Sequence, residues 1–259
     1  FKDNGAWAIT YGSLTLTDGS VTAGFCIVPI HGEVGNTAPG QVRLLNNTPA
    51  TLFGKSMYLW SVSGVRDERS ASMASSRIAA SLAQWDLKTC VTYDDSYNQE
   101  YYIFHGTEAI VYNYSRGVFY KYALGVNVRC ALLIDGVTYL GCADGSIKSF
   151  CEANLTDNGS PVIAELKCGS ADYDRRWLRK FAANVYLTLH ADGDASLSLC
   201  NSSDSGAGEW RALNISGDGI VRVKTRLRKF GFGQLCVKCL SGVPEIISIS
   251  VEVGYGGKI

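Results

Sequence analysis

Two closely spaced Asp-Gly pairs, Asp135-Gly136 and Asp144-Gly145, constrain this chain more than any other feature. An Asp-Gly between alternating apolar runs favours a two-residue hairpin turn, because both central residues must adopt positive φ. Around them Ala109–Asn113, Val118–Tyr122, Cys130–Ile134 and Val137–Gly141 read as short strands, with Ser115-Arg116-Gly117 as a further turn. Asp144-Gly145 then turns the chain into Ser146–Phe150, so Ala109–Phe150 reads as one four-stranded antiparallel unit. It offers no nucleophile, metal cluster or phosphate loop.

The rest of the chain has the same texture. Glycine and tyrosine are abundant and proline and methionine scarce, a composition that suits many short strands and tight turns. The formal net charge is zero, so no whole-molecule field draws in nucleic acid or anionic lipid. No apolar run approaches the length of a membrane-spanning helix. The chain begins at Phe1 without a signal-peptide pattern and reads as a processed or truncated product. Its nine cysteines, an odd number lying partly in strand-like runs, read as buried free thiols rather than a disulfide framework. Cys236 and Cys239 form a CxxC inside a strand, where they face opposite sides, so no zinc site is expected. Asn-x-Ser/Thr triplets at Asn46, Asn113, Asn154, Asn158, Asn201 and Asn214 read as products of a turn-rich composition more than as glycan acceptors.

Trp7–Thr17 and Val21–Ile30 read as a hairpin closed by Asp18-Gly19, and residues 31–50 as a long connection. Met57–Gly64 aligns with Thr138–Gly145, matching Tyr58 to Tyr139, Leu59 to Leu140 and Gly64 to Gly145. Glu100–Gly106 is a similar aromatic strand between them, a spacing that suits propeller blades. Ser70–Leu87 lacks Gly and Pro and places Ile78, Leu82 and Trp85 on one stripe, which predicts a short helix near 70–87. After the polar stretch Asn154–Pro161, longer strands are expected at 161–168, 180–190, 195–201, 219–230, 234–241 and 245–253, a sandwich or jelly-roll pattern. The expected fold is all-β: propeller-type antiparallel blades, then a β-sandwich-like C-terminal module. The expected divisions are an N-terminal β segment and connection at 1–55, blades at 56–160 and the module at 161–259.

Candidate chemistry is thin. His31, His105 and His190 are isolated in sequence, and no Gly-x-Ser-x-Gly elbow is present. Asp94-Asp95 and Asp192-Gly-Asp194 suit turns better than calcium. No catalytic, cofactor or metal residue is expected, and the chain reads as a non-enzyme. Ser202–Trp210 resembles the Asp-box of sialidase-type propellers, with Glu209 where Thr is usual and Trp210 one residue late. Arg222, Lys224, Arg226 and Arg228 alternate along a strand and project from one face, with Val223 and Leu227 turned to the core. Arg175, Arg176, Trp177 and Arg179 form a second cationic cluster. A solvated outer sheet face accounts for these eight residues; the functional reading is a partner interface with an acidic patch on a neighbouring subunit, since Arg and Trp are typical anchors.

Three runs, Val111–Tyr120, Gly136–Ile147 and Asp157–Ile163, carry a resemblance to tailed-bacteriophage tail structural proteins, the β-propeller proteins of the tail nozzle or tube tip in short-tailed phages. Arg175–Lys180, Arg226–Phe230 and Ile246–Gly257 are similar to the opening and closing of that family's final module. The similarity covers roughly residues 56–259; Phe119 stands where Trp is more usual, and the first fifty residues match poorly. It implies a virion component that assembles with itself into a ring and with other tail proteins, with no cofactor, membrane or sequence-specific nucleic acid. A carbohydrate- or receptor-binding β module, with Trp60, Tyr101, Tyr102 or Trp210 stacking on sugars, is the alternative. A sialidase-like glycosidase is the third reading.

Overall fold

The computed structural model describes residues 1–62, 69–150, 156–157, 159–174, 177–204 and 208–258. The chain is almost entirely β structure and divides into two units, Phe1–Cys151 and Glu152–Ile259. That division falls at the start of the polar stretch, before the expected 160/161.

The first unit opens with β1 (Ala6–Thr15) and β2 (Val21–His31), an antiparallel pair that forms a sheet of its own. Gly19 takes φ +81° in its turn, and Asp18 accepts hydrogen bonds from the Ser20 amide and hydroxyl. A four-stranded meander follows: β3 (Arg43–Leu45), β4 (Thr48–Phe53), β5 (Ser56–Val62) and β6 (Arg69–Met73). The expected long connection over 31–50 is therefore interrupted by strands. Asn46 and Asn47, both at positive φ, make a two-residue turn that the sequence reading passed over because no Gly marks it. The expected boundary at 55/56 falls inside this single sheet.

The expected helix is present but shorter than 70–87, because Arg69–Met73 pairs with β5. A 3-10 turn at Ser76–Ile78 leads into α1 (Ala79–Leu82), and a second 3-10 turn spans Leu87–Thr89. Leu82 is fully buried, with Ile78 and Trp85 packed at the rim of the same core.

The second meander is β7 (Val91–Asp95), β8 (Glu100–His105), β9 (Glu108–Asn113) and β10 (Val118–Ala123). The third sheet has three strands, β11 (Val128–Ile134), β12 (Val137–Cys142) and β13 (Ile147–Phe150). Ala109–Phe150 is therefore not one unit but parts of two: β9 takes β8 as its other neighbour, and the chain leaves the sheet after β10. Hairpin turns specify which strands are adjacent; the outer partner of each strand is a tertiary matter.

The first strands β3, β7 and β11 lie side by side, which orders the three sheets as consecutive blades. β4, β8 and β12 are then the equivalent second strands, and β4 and β8 are both buried over their four central residues. By this order β5 corresponds to β9 and β13, so the alignment of Tyr58 and Leu59 with Tyr139 and Leu140 joins strands of different rank. Glu100–His105 is the true counterpart of β12. Alternation along the middle blade serves two cores. Tyr101, Ile103 and Ile110 pack with Leu52, Met57 and Leu82 towards the first blade, whereas Tyr102, Phe104 and Val111 pack with Val128 and Leu140 of the third.

The second unit begins with a short ladder of β14 (Thr156–Asp157) and β15 (Ser160–Pro161). Its body is two sheets around one core. One contains β16 (Ala164–Lys167), β18 (Asp194–Ser203), β19 (Trp210–Ser216) and β21 (Gly233–Ser241), in the order β16-β21-β18-β19. The other is β20-β17-β22, with β17 (Leu178–Ala191), β20 (Gly219–Phe230) and β22 (Pro244–Lys258). Val185, Leu187, Leu189 and Val223 from the second sheet meet Leu197, Leu199, Leu235 and Val237 from the first. This is the expected sandwich with one strand, β19, added to the expected set.

Candidate functional site

The polar groups best placed for chemistry lie where the first two blades meet. Arg43 on β3 donates from Nε and Nη2 to the Thr92 carbonyl at 3.1 and 2.8 Å. Gln41 Oε1 accepts from the Thr92 amide and hydroxyl at 2.6 and 3.0 Å. Asp95, buried at the end of β7, accepts from the amides of Tyr97 and Asn98 and from the Asn98 side chain. Asp94 is half-buried, and desolvation holds its carboxyl above the usual range. Every strong interaction here ties one strand to another or closes a turn, and the neighbouring Tyr101 is fully buried. This is a joint between blades.

The histidines are similarly committed. His31 Nδ1 accepts from the Glu33 and Val34 amides. His105 stacks on Trp85 with ring centroids 5.1 Å apart. His190 was expected to be isolated, yet folding brings it against Asp218 at Nδ1 and Asp192 at Nε2. These carboxylates, the Asp218 hydrogen bond first, hold its pKa above the ordinary histidine value, but the group sits exposed at a strand end. Glu100 accepts from the hydroxyls of Tyr102 and Tyr120, and burial and that carboxylate push both phenols up.

Among the described residues no group of His, Cys, Asp and Glu could hold a metal ion, and no cysteine is bridged. Cys236 and Cys239 do face opposite ways: Val237 and Cys239 turn to the sandwich core, and Cys236 lies across from Cys200. An open cleft of about 870 Å³ is lined by Phe1, Lys2, Asp3, Asn36 and Val42 and has no Ser, Thr, Cys or His among its described lining residues.

Of the expected interface residues, Arg175 and Arg176 lie outside the described residues, and Trp177 and Arg179 are exposed. Arg222 and Lys224 are exposed on β20. Arg222 donates from Nε to Asn184 Oδ1 at 3.0 Å and lies over the Tyr186 ring. Arg226 and Arg228 continue β20, but the register against β17 shifts between Ala182 and Asn184, where Lys224 to Leu227 faces Ala182 to Asn184. The side chains of Arg226 and Arg228 lie outside the described residues. The expected sugar-stacking aromatics are not a shelf: Trp60, Tyr101 and Tyr102 are buried, and only Trp210 is exposed, with Lys238 Nζ 4.7 Å from its ring centre. Of the Asp-box-like run, residues 205–207 lie outside the described residues, and Asp204 accepts from the Gly231 amide, 27 residues further along the chain.

The feature sequence reasoning missed is apolar and uncovered. Pairing in the first hairpin sets Ile9 opposite Ile27, Tyr11 opposite Phe25 and Thr15 opposite Val21 on one face. Ile9, Tyr11, Phe25 and Ile27 are 69, 68, 71 and 69 % exposed. No charged residue occurs in β1, nor from Val21 to Ile30. The signal was present as two charge-free runs around Asp18-Gly19; that their side chains stand exposed was not.

No family model and no curated protein sequence matches the chain. Among solved structures, a glycoside hydrolase family 43 arabinoxylan arabinofuranohydrolase from Bacillus subtilis, in complex with cellotetraose, is similar at 11% sequence identity. The match covers 92% of this chain and 56% of that one, with a TM-score of 0.22, too low to carry an argument about fold or activity.

Proposed function

We propose that this chain is a non-enzymatic structural component of a phage virion tail, of the nozzle or tube-tip type, which assembles with itself and with other tail proteins. The observation that supports assembly is the first hairpin. An isolated two-stranded sheet is marginal in water and needs a third strand or a packed surface. A long, charge-free pair with bulky apolar side chains in solvent is an aggregation hazard unless a partner covers it. The tail assignment rests on the strand and turn patterns of 111–163 and the basic segments of the second unit. Arg43 and Gln41 tie the first strands of neighbouring blades together, as a scaffold requires.

The test is the light-scattering mass of the purified protein over a wide concentration range. A discrete multimer is expected. A monomer at every concentration, together with retention on an immobilised glycan, would replace this reading with the carbohydrate-binding one.

A further inference from the structure

Cys200 on β18 and Cys236 on β21 stand directly opposite one another across neighbouring strands of the second unit. No other cysteine among the described residues faces a second one in register. Leu199 and Val237 point into the sandwich core, so alternation turns the two thiols to the outer face of their sheet. There they are 7 and 8 % exposed, which leaves them open to a small oxidant. Cys168 is one register step away: its amide donates to the Leu235 carbonyl, and it packs against the core.

The end of the ladder fixes the kind of pair they form. One step beyond Ser203 and Gly233, the Asp204 amide donates to the Phe232 carbonyl at 3.1 Å. Hydrogen-bonded pairs recur at every second residue, which places Cys200 and Cys236 in that class, with Cα atoms about 5.5 Å apart. A disulfide spans Cα separations of about 4.4–6.8 Å, so the backbone already stands in place for one. The Cβ atoms of such a pair lie about 5.5 Å apart, and a bridge draws them to about 4.5 Å or less. That bridge is strained, and strained bridges are the readily reduced ones.

We infer that Cys200 and Cys236 form a reversible cross-strand disulfide when the protein meets a peroxide. One sulfur, as its thiolate, attacks a peroxide oxygen; the O–O bond breaks, water leaves with the thiol proton, and a sulfenic acid remains. The second sulfur then attacks the sulfenic sulfur; the S–S bond forms, the S–O bond breaks and a second water leaves. Two thiols are oxidised and one hydrogen peroxide is reduced. The bridge staples β18 to β21, the two central strands of their sheet, and closes a loop that holds β19 and β20. Constraining that loop in the unfolded chain stabilises the second unit.

The test exposes the reduced chain to hydrogen peroxide in native buffer, then alkylates, digests and maps it by mass spectrometry. The expected product is a peptide pair joined through Cys200 and Cys236, which dithiothreitol should release. In urea the selectivity for this pair should be lost, since register no longer brings the two together. Oxidation should raise the thermal midpoint by about 5 °C or more in the wild type and leave that of Cys236→Ser unchanged. Cys168→Ser should keep the link. A link from Cys236 to Cys168, or sulfinic acid on Cys200 or Cys236 with no link between them, would overturn the inference. The map is read on the wild-type chain, so it decides the matter even if Cys236→Ser folds poorly.

Discussion

Arg43 grips the carbonyl oxygen of Thr92 with two of its guanidinium nitrogens, joining the first strand of one blade to the first strand of the next. Hydrogen bonds from a charged group are worth about 1.5–3 kcal/mol, and losing the donor leaves a partly buried carbonyl unsatisfied. Arg43→Ala should destabilise the blade unit by about 2 kcal/mol. Arg43→Lys should recover only part, since a point charge cannot supply the fork. Urea titration of both variants measures this, and equal stability of Arg43→Ala and wild type would contradict it.

Leu52 is fully buried between the first two blades beside Met57, Leu82 and Tyr101. Leu52→Ala should cost about 2–5 kcal/mol through lost transfer energy and the cavity left behind. Leu44, on the neighbouring strand, is exposed and should tolerate alanine within about 0.5 kcal/mol. Chemical denaturation of the pair separates burial from strand propensity.

Gly242 sits at φ +78° in the turn between β21 and β22, and an added Cβ would come within 2.7 Å of the Asp194 carbonyl. Gly242→Ala should lose about 1–3 kcal/mol from backbone strain alone. The thermal midpoint of the variant tests the assignment.

His190 is held above its ordinary value of 6.5 by Asp218 first and Asp192 next. Its charged form is therefore favoured in the folded state. The stabilisation is complete below about pH 6.5 and is lost as pH rises through the higher folded-state value. An NMR titration should show a midpoint above 6.5 that falls in Asp218→Asn. An unchanged midpoint in that variant would show that the pair does not form in solution.

Burial pushes the Cys90 thiol up to about 12, with Asp86 adding to it. Cys130 is exposed on the third blade. At about pH 8 a thiol reagent should modify Cys130 in the folded protein and reach Cys90 only on unfolding, because the thiolate is the reactive form. Mass mapping of the labelled sites decides it.

Local chemistry was legible throughout. Asp18-Gly19, Asp135-Gly136 and Asp144-Gly145 each lie in a hairpin turn; only Asp135-Gly136 takes positive φ at both residues, and in the other two, longer, loops Gly19 and Gly145 alone take it. The all-β class and the sandwich strands followed from period-two alternation. Asn46-Asn47 was missed because Asn reaches positive φ less freely than Gly and gives a weaker signal.

Sequence alone determined which neighbouring strands pair and which side chains share a face, since both depend on contacts a few residues apart. Tertiary structure decided where one blade ends and the next begins, why β12 corresponds to β8 and not to β5, and how His190 came to meet Asp218. It also decided which apolar faces found cover. Ile103 and Ile27 both occupy apolar strands; one is buried between two blades and the other stands in solvent. The difference lies in a neighbouring sheet brought there by the fold of distant residues, which no local pattern encodes.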